Sequence, residues 1–73
     1  MDLKRMQWMR ISQQLIMAVE DNNKSEVLRL IAQGADVNYE GGGHMTPMKQ
    51  ALKNGNIEMI RLLESYGAEN PWG

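Results

Sequence analysis

Gly34-Ala35-Asp36-Val37-Asn38 returns 33 residues later as Gly67-Ala68-Glu69-Asn70. Upstream of the first copy, Val27, Leu30 and Ile31 share a helix face at i, i+3, i+4, with Leu28 off that stripe. Gly34 supplies the left-handed position that ends the helix. Before it, Leu15, Ala18 and Val19 recur at helical spacing from Gln13, and Asp21-Asn22-Asn23 breaks the pattern with residues that favour turns. The second copy closes the same plan with stronger punctuation. Thr46 can cap a first turn through its hydroxyl, and Pro47 fits the first helical position, where no backbone donor is needed. Met48, Ala51 and Leu52 form the inner face of that helix and Gly55 marks the turn. Ile57, Ile60 and Leu63 line the next helix with Leu62 beside them, and Gly67 ends it. A fixed period of this length means a stacked repeat. Ala18 and Ala51 share one repeat position, where a small side chain lets two helices approach closely, so a bulky residue there is poorly tolerated.

The block Met45-Thr46-Pro47-Met48, Ala51, Asn54-Gly55-Asn56 and Ile57-Glu58-Met59-Ile60-Arg61-Leu62-Leu63, followed by Gly67-Ala68, resembles an ankyrin repeat. The resemblance covers about residues 13–70 and is closer in the second repeat, because Gln13-Gln14-Leu15 replaces Thr-Pro-Leu in the first. It implies an all-α, ankyrin-like stack of two helix-turn-helix repeats with a projecting loop, and a role in protein binding. The chain divides accordingly into an N-terminal helical extension or cap (1–12), a first repeat (13–38), and a second repeat with its hairpin loop and C-terminal tail (39–73). Lys49 stands where the family's Thr-Pro-Leu-His histidine would be, Asn56 replaces the histidine after the turn glycine, and His44 sits where the hairpin usually has glycine. The histidine hydrogen bonds of a consensus repeat are therefore missing.

Size sets a limit on stability. A chain of 73 residues is one domain, near the size at which only about 60% of the unfolded surface can be buried. Cysteine is absent, so packing alone must hold the fold, without disulfide or metal staples. No apolar run approaches membrane-spanning length, and no signal-peptide core follows Lys4 and Arg5. The expectation is a cytoplasmic or otherwise intracellular protein that needs no membrane and no cofactor. The net charge is −1: three basic residues against Asp2 make residues 1–10 net +2, and the remainder, five basic against eight acidic, is −3. Neither part is charged enough to point to nucleic acid. Seven methionines with no phenylalanine read first as gap-fillers of the core, and second as adaptable contacts.

Each repeat leaves one apolar face for a neighbour, and the ends of a solenoid need covering. The candidates are the N-terminal segment, with Leu3, Met6, Trp8, Met9 and Ile11, and the tail Pro71-Trp72-Gly73. No Gly or Pro interrupts Asp2 to Glu20, and Trp8, Ile11, Leu15 and Ala18 follow 3-4-3 spacing. One continuous helix and a break capped by Ser12 both fit.

Catalytic constellations are weak. His44 is the only histidine, which leaves no cluster of zinc ligands, and Ser12, Ser25 and Ser65 carry no nucleophile motif. Gly41-Gly42-Gly43 lacks the Gly-Lys-Ser/Thr of a phosphate cradle and reads as a turn. The chain is therefore expected to be no enzyme and to have neither catalytic nor metal-binding residues. The family resemblance, carried over by position, implies a partner surface of Glu20, Asp21, Tyr39, Glu40, Gly42, Gly43, Met45, Lys53 and Asn54. A competing surface is Arg5, Trp8, Met9 and Arg10, an aromatic-plus-arginine composition common in binding hot spots. The function expected is a small regulator or inhibitor that covers a surface on a larger protein. Self-association into a homodimer is the rival reading.

Overall fold

The structure, a computed structural model, describes residues 3–71. Four helices follow one another: α1 (Leu3–Glu20), α2 (Lys24–Ala32), α3 (Pro47–Asn54) and α4 (Ile57–Ser65), with a 3₁₀ turn at Gly42–His44 between α2 and α3 and no strand among the described residues. α1 packs on α2 and on α3, and α3 packs on α4.

The 33-residue period is a period of structure as well as of sequence. Asn23 and Asn56 cap α2 and α4 by accepting the amides of Glu26 and Met59 at 3.2 and 3.1 Å, which satisfies donors the first turn leaves open. Thr46 does the same for α3, with Pro47 at its first position. Gly34 and Gly67 take left-handed conformations, so that Ala35 N–H and Ala68 N–H reach back to the carbonyls of Leu30 and Leu63. The core repeats too. Leu15, Ala18, Leu30 and Ala35 are buried, and so are their counterparts Met48, Ala51, Leu63 and Ala68.

Two expectations need adjustment. α1 is continuous, and the break at Ser12 does not form; Ser12 is fully buried and its Oγ accepts the amide of Asp36 at 2.9 Å. The hydroxyl thus serves the segment after α2 instead of a helix start. In α4 the buried residues are Met59 and Leu63, with Ile60 and Leu62 half-buried, while Ile57 is 64% exposed. The repeat explains the reversal. The counterpart of Ile57 is Lys24, which reaches forward to Glu58 of the second repeat at 2.7 Å. Ile57 therefore points to where a following repeat would stack.

Asparagines tie the repeats together in place of the absent histidines. Asn54 Nδ2 donates to the carbonyls of Val19 and Glu20 and to Asn22 Oδ1, at 3.0, 3.2 and 3.2 Å, and Asn56 Nδ2 donates to the same Asn22 oxygen at 2.9 Å. At the other end of the repeat, Asn38 Nδ2 donates to Gly67 O at 3.3 Å and Asn38 Oδ1 accepts Glu69 N–H at 2.8 Å.

The N-terminal segment covers the stack only in part. Ile11 is half-buried, but Leu3, Met6 and Met9 stay 74, 46 and 47% exposed. Of the proposed tail cover, Pro71 is exposed and Trp72 and Gly73 lie outside the described residues.

Candidate partner-binding surface

The loop between the repeats is shaped by its own hydrogen bonds. Gly41 N–H donates to Met45 O at 2.7 Å, and Lys49 Nζ donates to His44 O at 3.0 Å, which ties the loop tip to α3. The Glu40 carboxylate pairs with His44 Nδ1. That hydrogen bond, aided by the positive fields of His44 and Lys49, holds the Glu40 carboxyl below its ordinary value. Gly43 and His44 both turn left-handed, with φ of 68° and 60°. Glycine makes that cheap at the first position, and the pairing with Glu40 accompanies it at the second.

The loop lies against α1. A Cβ on Gly41 would stand 2.8 Å from Gln13 Oε1 and 3.1 Å from Ile16 Cδ1, so the absence of a side chain is what lets the loop sit this close. About one and a half to two turns nearer the N-terminus, Trp8 meets Tyr39 edge to face, with ring centroids 5.6 Å apart and planes at 87°, an arrangement aromatic pairs favour. The two sets of residues that the sequence left as rivals thus meet at one aromatic pair. Arg5 and Met9 stand at i−3 and i+1 from Trp8 and are exposed. Arg10 is exposed as well.

The remaining residues are placed differently. Glu20 and Asp21 end α1, with exposed side chains, about three turns from Trp8. Lys53 is exposed near the end of α3. Asn54 is engaged in the inter-repeat ties and also accepts Gln50 Nε2 at 3.0 Å. Gly42 and Gly43 are exposed at the loop tip, and Met45 is half-buried at its base. Sequence reasoning gave Gly41 no separate role from its neighbours. Nothing in a Gly-Gly-Gly run says which glycine touches a helix. It also missed the groove of about 330 Å³ beside Trp8, lined by Lys4, Gln7, Ile11, Gln33 and Gly34. That groove exists because α1 overruns the end of α2.

Among the described residues no group of His, Asp and Glu is arranged to hold a metal ion, and no helix is long and apolar enough to cross a membrane. The surface offers aromatic and thioether contacts with charges around them, the composition of a protein interface.

Comparison with known proteins agrees with the architecture. The family model of ankyrin repeats in many copies matches residues 15–64. An ankyrin repeat protein of Acanthamoeba polyphaga mimivirus is 36% identical over 58 residues, covering 80% of this chain and 35% of that protein. The ARF GTPase-activating protein Git of Drosophila melanogaster is 38% identical over 60 residues, covering 81% of this chain and 8% of its own length. The chain thus spans about a third of the first relative and under a tenth of the second. With the family model matching most of the chain and the helices, caps and core repeating at the same interval, this chain belongs to the ankyrin repeat family.

Proposed function

We propose that the chain binds a larger protein through the surface centred on Trp8 and Tyr39, and that it acts as a regulator or inhibitor by covering the site it occupies. Ankyrin repeats are protein-protein interaction modules, and the observation that supports this location is the edge-to-face pair itself. It joins α1 to the loop and leaves Trp8 39% exposed, so a large amphipathic ring is held rigidly at the surface. A preset aromatic costs less entropy on binding than a mobile one. Met45, half-buried at the base of the same loop, is the second apolar contact; Arg5 and Glu40 supply charges beside Trp8 and Tyr39, and Glu20, Asp21 and Lys53 carry the surface towards the other end of α1. Asn54 contributes by fixing the end of α1.

The test is capture from the native host with the wild-type chain and with the Tyr39→Ala, Met45→Ala double variant, each analysed by mass spectrometry. A single stoichiometric protein retained by the wild type should bind the double variant at least tenfold more weakly, as expected for two contacts worth ~1–2 kcal/mol each. The melting temperature should change little. Unaltered affinity of the double variant, with a large loss on Arg5→Ala, would move the site to the N-terminal segment. Recovery of nucleic acid alone would overturn the reading.

A further inference from the structure

α1 carries apolar residues on two sides. Ser12, Leu15, Ile16, Ala18 and Val19 are buried in the stack. Leu3, Met6, Arg10, Gln13, Met17 and Glu20, spaced 3-4-3-4-3, form a second line, and all six are exposed. That spacing alternates three and four residues, the heptad pattern with which one helix presents a straight seam to another. The line runs for about 25 Å.

The repeat identifies what this face is. Met17 is the counterpart of Gln50, which is only 5% exposed, whereas Met17 is 58% exposed. Gln50 is buried and donates to Asn54, the side chain that ties α3 to the first repeat, so Met17 occupies the side on which a preceding unit would stack. The rest of this side is polar, because Glu26, the counterpart of the buried Met59, is paired with Arg29. A further ankyrin repeat, which would have to bury that ion pair, is therefore a poor occupant. A single helix laid along the α1 line would leave it in solvent.

The charges say which helix. α1 has no acidic residue in its first turn and no basic residue in its last. Lys4 and Arg5 stand at its N-terminal end, with Glu20 and Asp21 at its C-terminal end. Both ends oppose the helix dipole. Arg5, Arg10, Glu20 and Asp21 make no ion pair with any described residue. An antiparallel copy of α1 answers the mismatches at both ends, since each basic end then lies beside an acidic end and each dipole beside its opposite. With the two helices centred on one another, Met6 faces Met17 of the copy, Arg10 faces Gln13, and Leu3 packs on the stem of Glu20 with Arg5 within a turn of that carboxylate.

We infer that the exposed line Leu3, Met6, Arg10, Gln13, Met17 and Glu20 is the interface of a symmetric homodimer, formed by antiparallel pairing of two α1 helices. The interface is isologous and small, so association is expected in the micromolar range. Its apolar residues lie around α1 from the Trp8–Tyr39 pair; the two surfaces share only the end charges Arg5, Glu20 and Asp21, and the dimer does not depend on the partner reading above.

The register can be read directly, because the chain contains no cysteine. Met6→Cys chains mixed with Met17→Cys chains under mild oxidation should yield the 6-to-17 disulfide. Neither variant should link to itself, since equal positions would be about 16 Å apart along the pair and a disulfide needs Cα atoms within about 7 Å. Predominant 6-to-6 linkage, or no linkage at all, would overturn the pairing. In sedimentation over a concentration series, Met6→Glu with Met17→Glu should weaken dimerisation at least tenfold with unchanged helicity. Arg5→Glu should weaken the dimer while raising the melting point of the dilute monomer, because it improves the charge at the start of α1. Adding Glu20→Arg should restore association. A wild-type chain that remains monomeric at near-millimolar concentration would refute the inference.

Discussion

Ser12 shows how much one hydroxyl can carry. It is fully buried and accepts the Asp36 amide, so Ser12→Ala would strand that donor in a partly buried place. The expected loss is about 1–2 kcal/mol, read as a lower midpoint in urea. Gly41→Ala is expected to cost about 1 kcal/mol by crowding Ile16 Cδ1, since Gln13 can swing its amide away. Gly42→Ala, with open space around it, should be nearly neutral by the same measurement. None of this was legible in the sequence. The spacing left a continuous helix and a break capped by Ser12 equally open, because the role of Ser12 as an acceptor depends on a segment that arrives only after α2. The Trp8–Tyr39 pair was hidden for the same reason, its members being 31 positions apart in different units.

At the level of helices and turns, the sequence said far more. Gly34, Gly55 and Gly67, the Thr46-Pro47 start and the apolar spacing each encode a local conformation, and local conformation is what residue type determines. The face of α4 was misread because Ile57 obeys the helical period equally well, yet it lies on the side turned away from the first repeat and is exposed. The Lys24–Glu58 pair between α2 and α4 provides a test of pH. The hydrogen bond from Lys24, with its charge, lowers the Glu58 carboxyl below its usual value near 4.5. Glu26 is lowered in the same way by Arg29, and Glu40 by His44. Depressed carboxyls favour the folded state fully above their unfolded values and lose that advantage as pH falls through the folded ones. The melting temperature should therefore be flat from pH 7 to about 5 and decline below about 4.5. Glu58→Gln should flatten the acid limb slightly, the pair being exposed to solvent.

Across the described residues, the two repeats meet where α1 packs against α3, with the asparagine ties at either end and the Lys24–Glu58 pair beside them. Neither half can close its core without the other, as the sharing of Leu15, Val19, Met48 and Ala51 in one cluster shows. In a long solenoid the units can open one by one, because each has two neighbours. Within this chain each of the two described units packs on the other, so the loss of one uncovers the core of the other. Amide exchange with solvent should accordingly be synchronous: Val27, Leu30, Ala51 and Leu63 are expected to share one opening free energy, equal to that of global unfolding. The first turns of α1 run beyond the end of α2, and their amides, apart from any dimer, should exchange well ahead of the rest. The junction thus makes two repeats behave as one switch, with the overhanging turns of α1 as the part that can open alone.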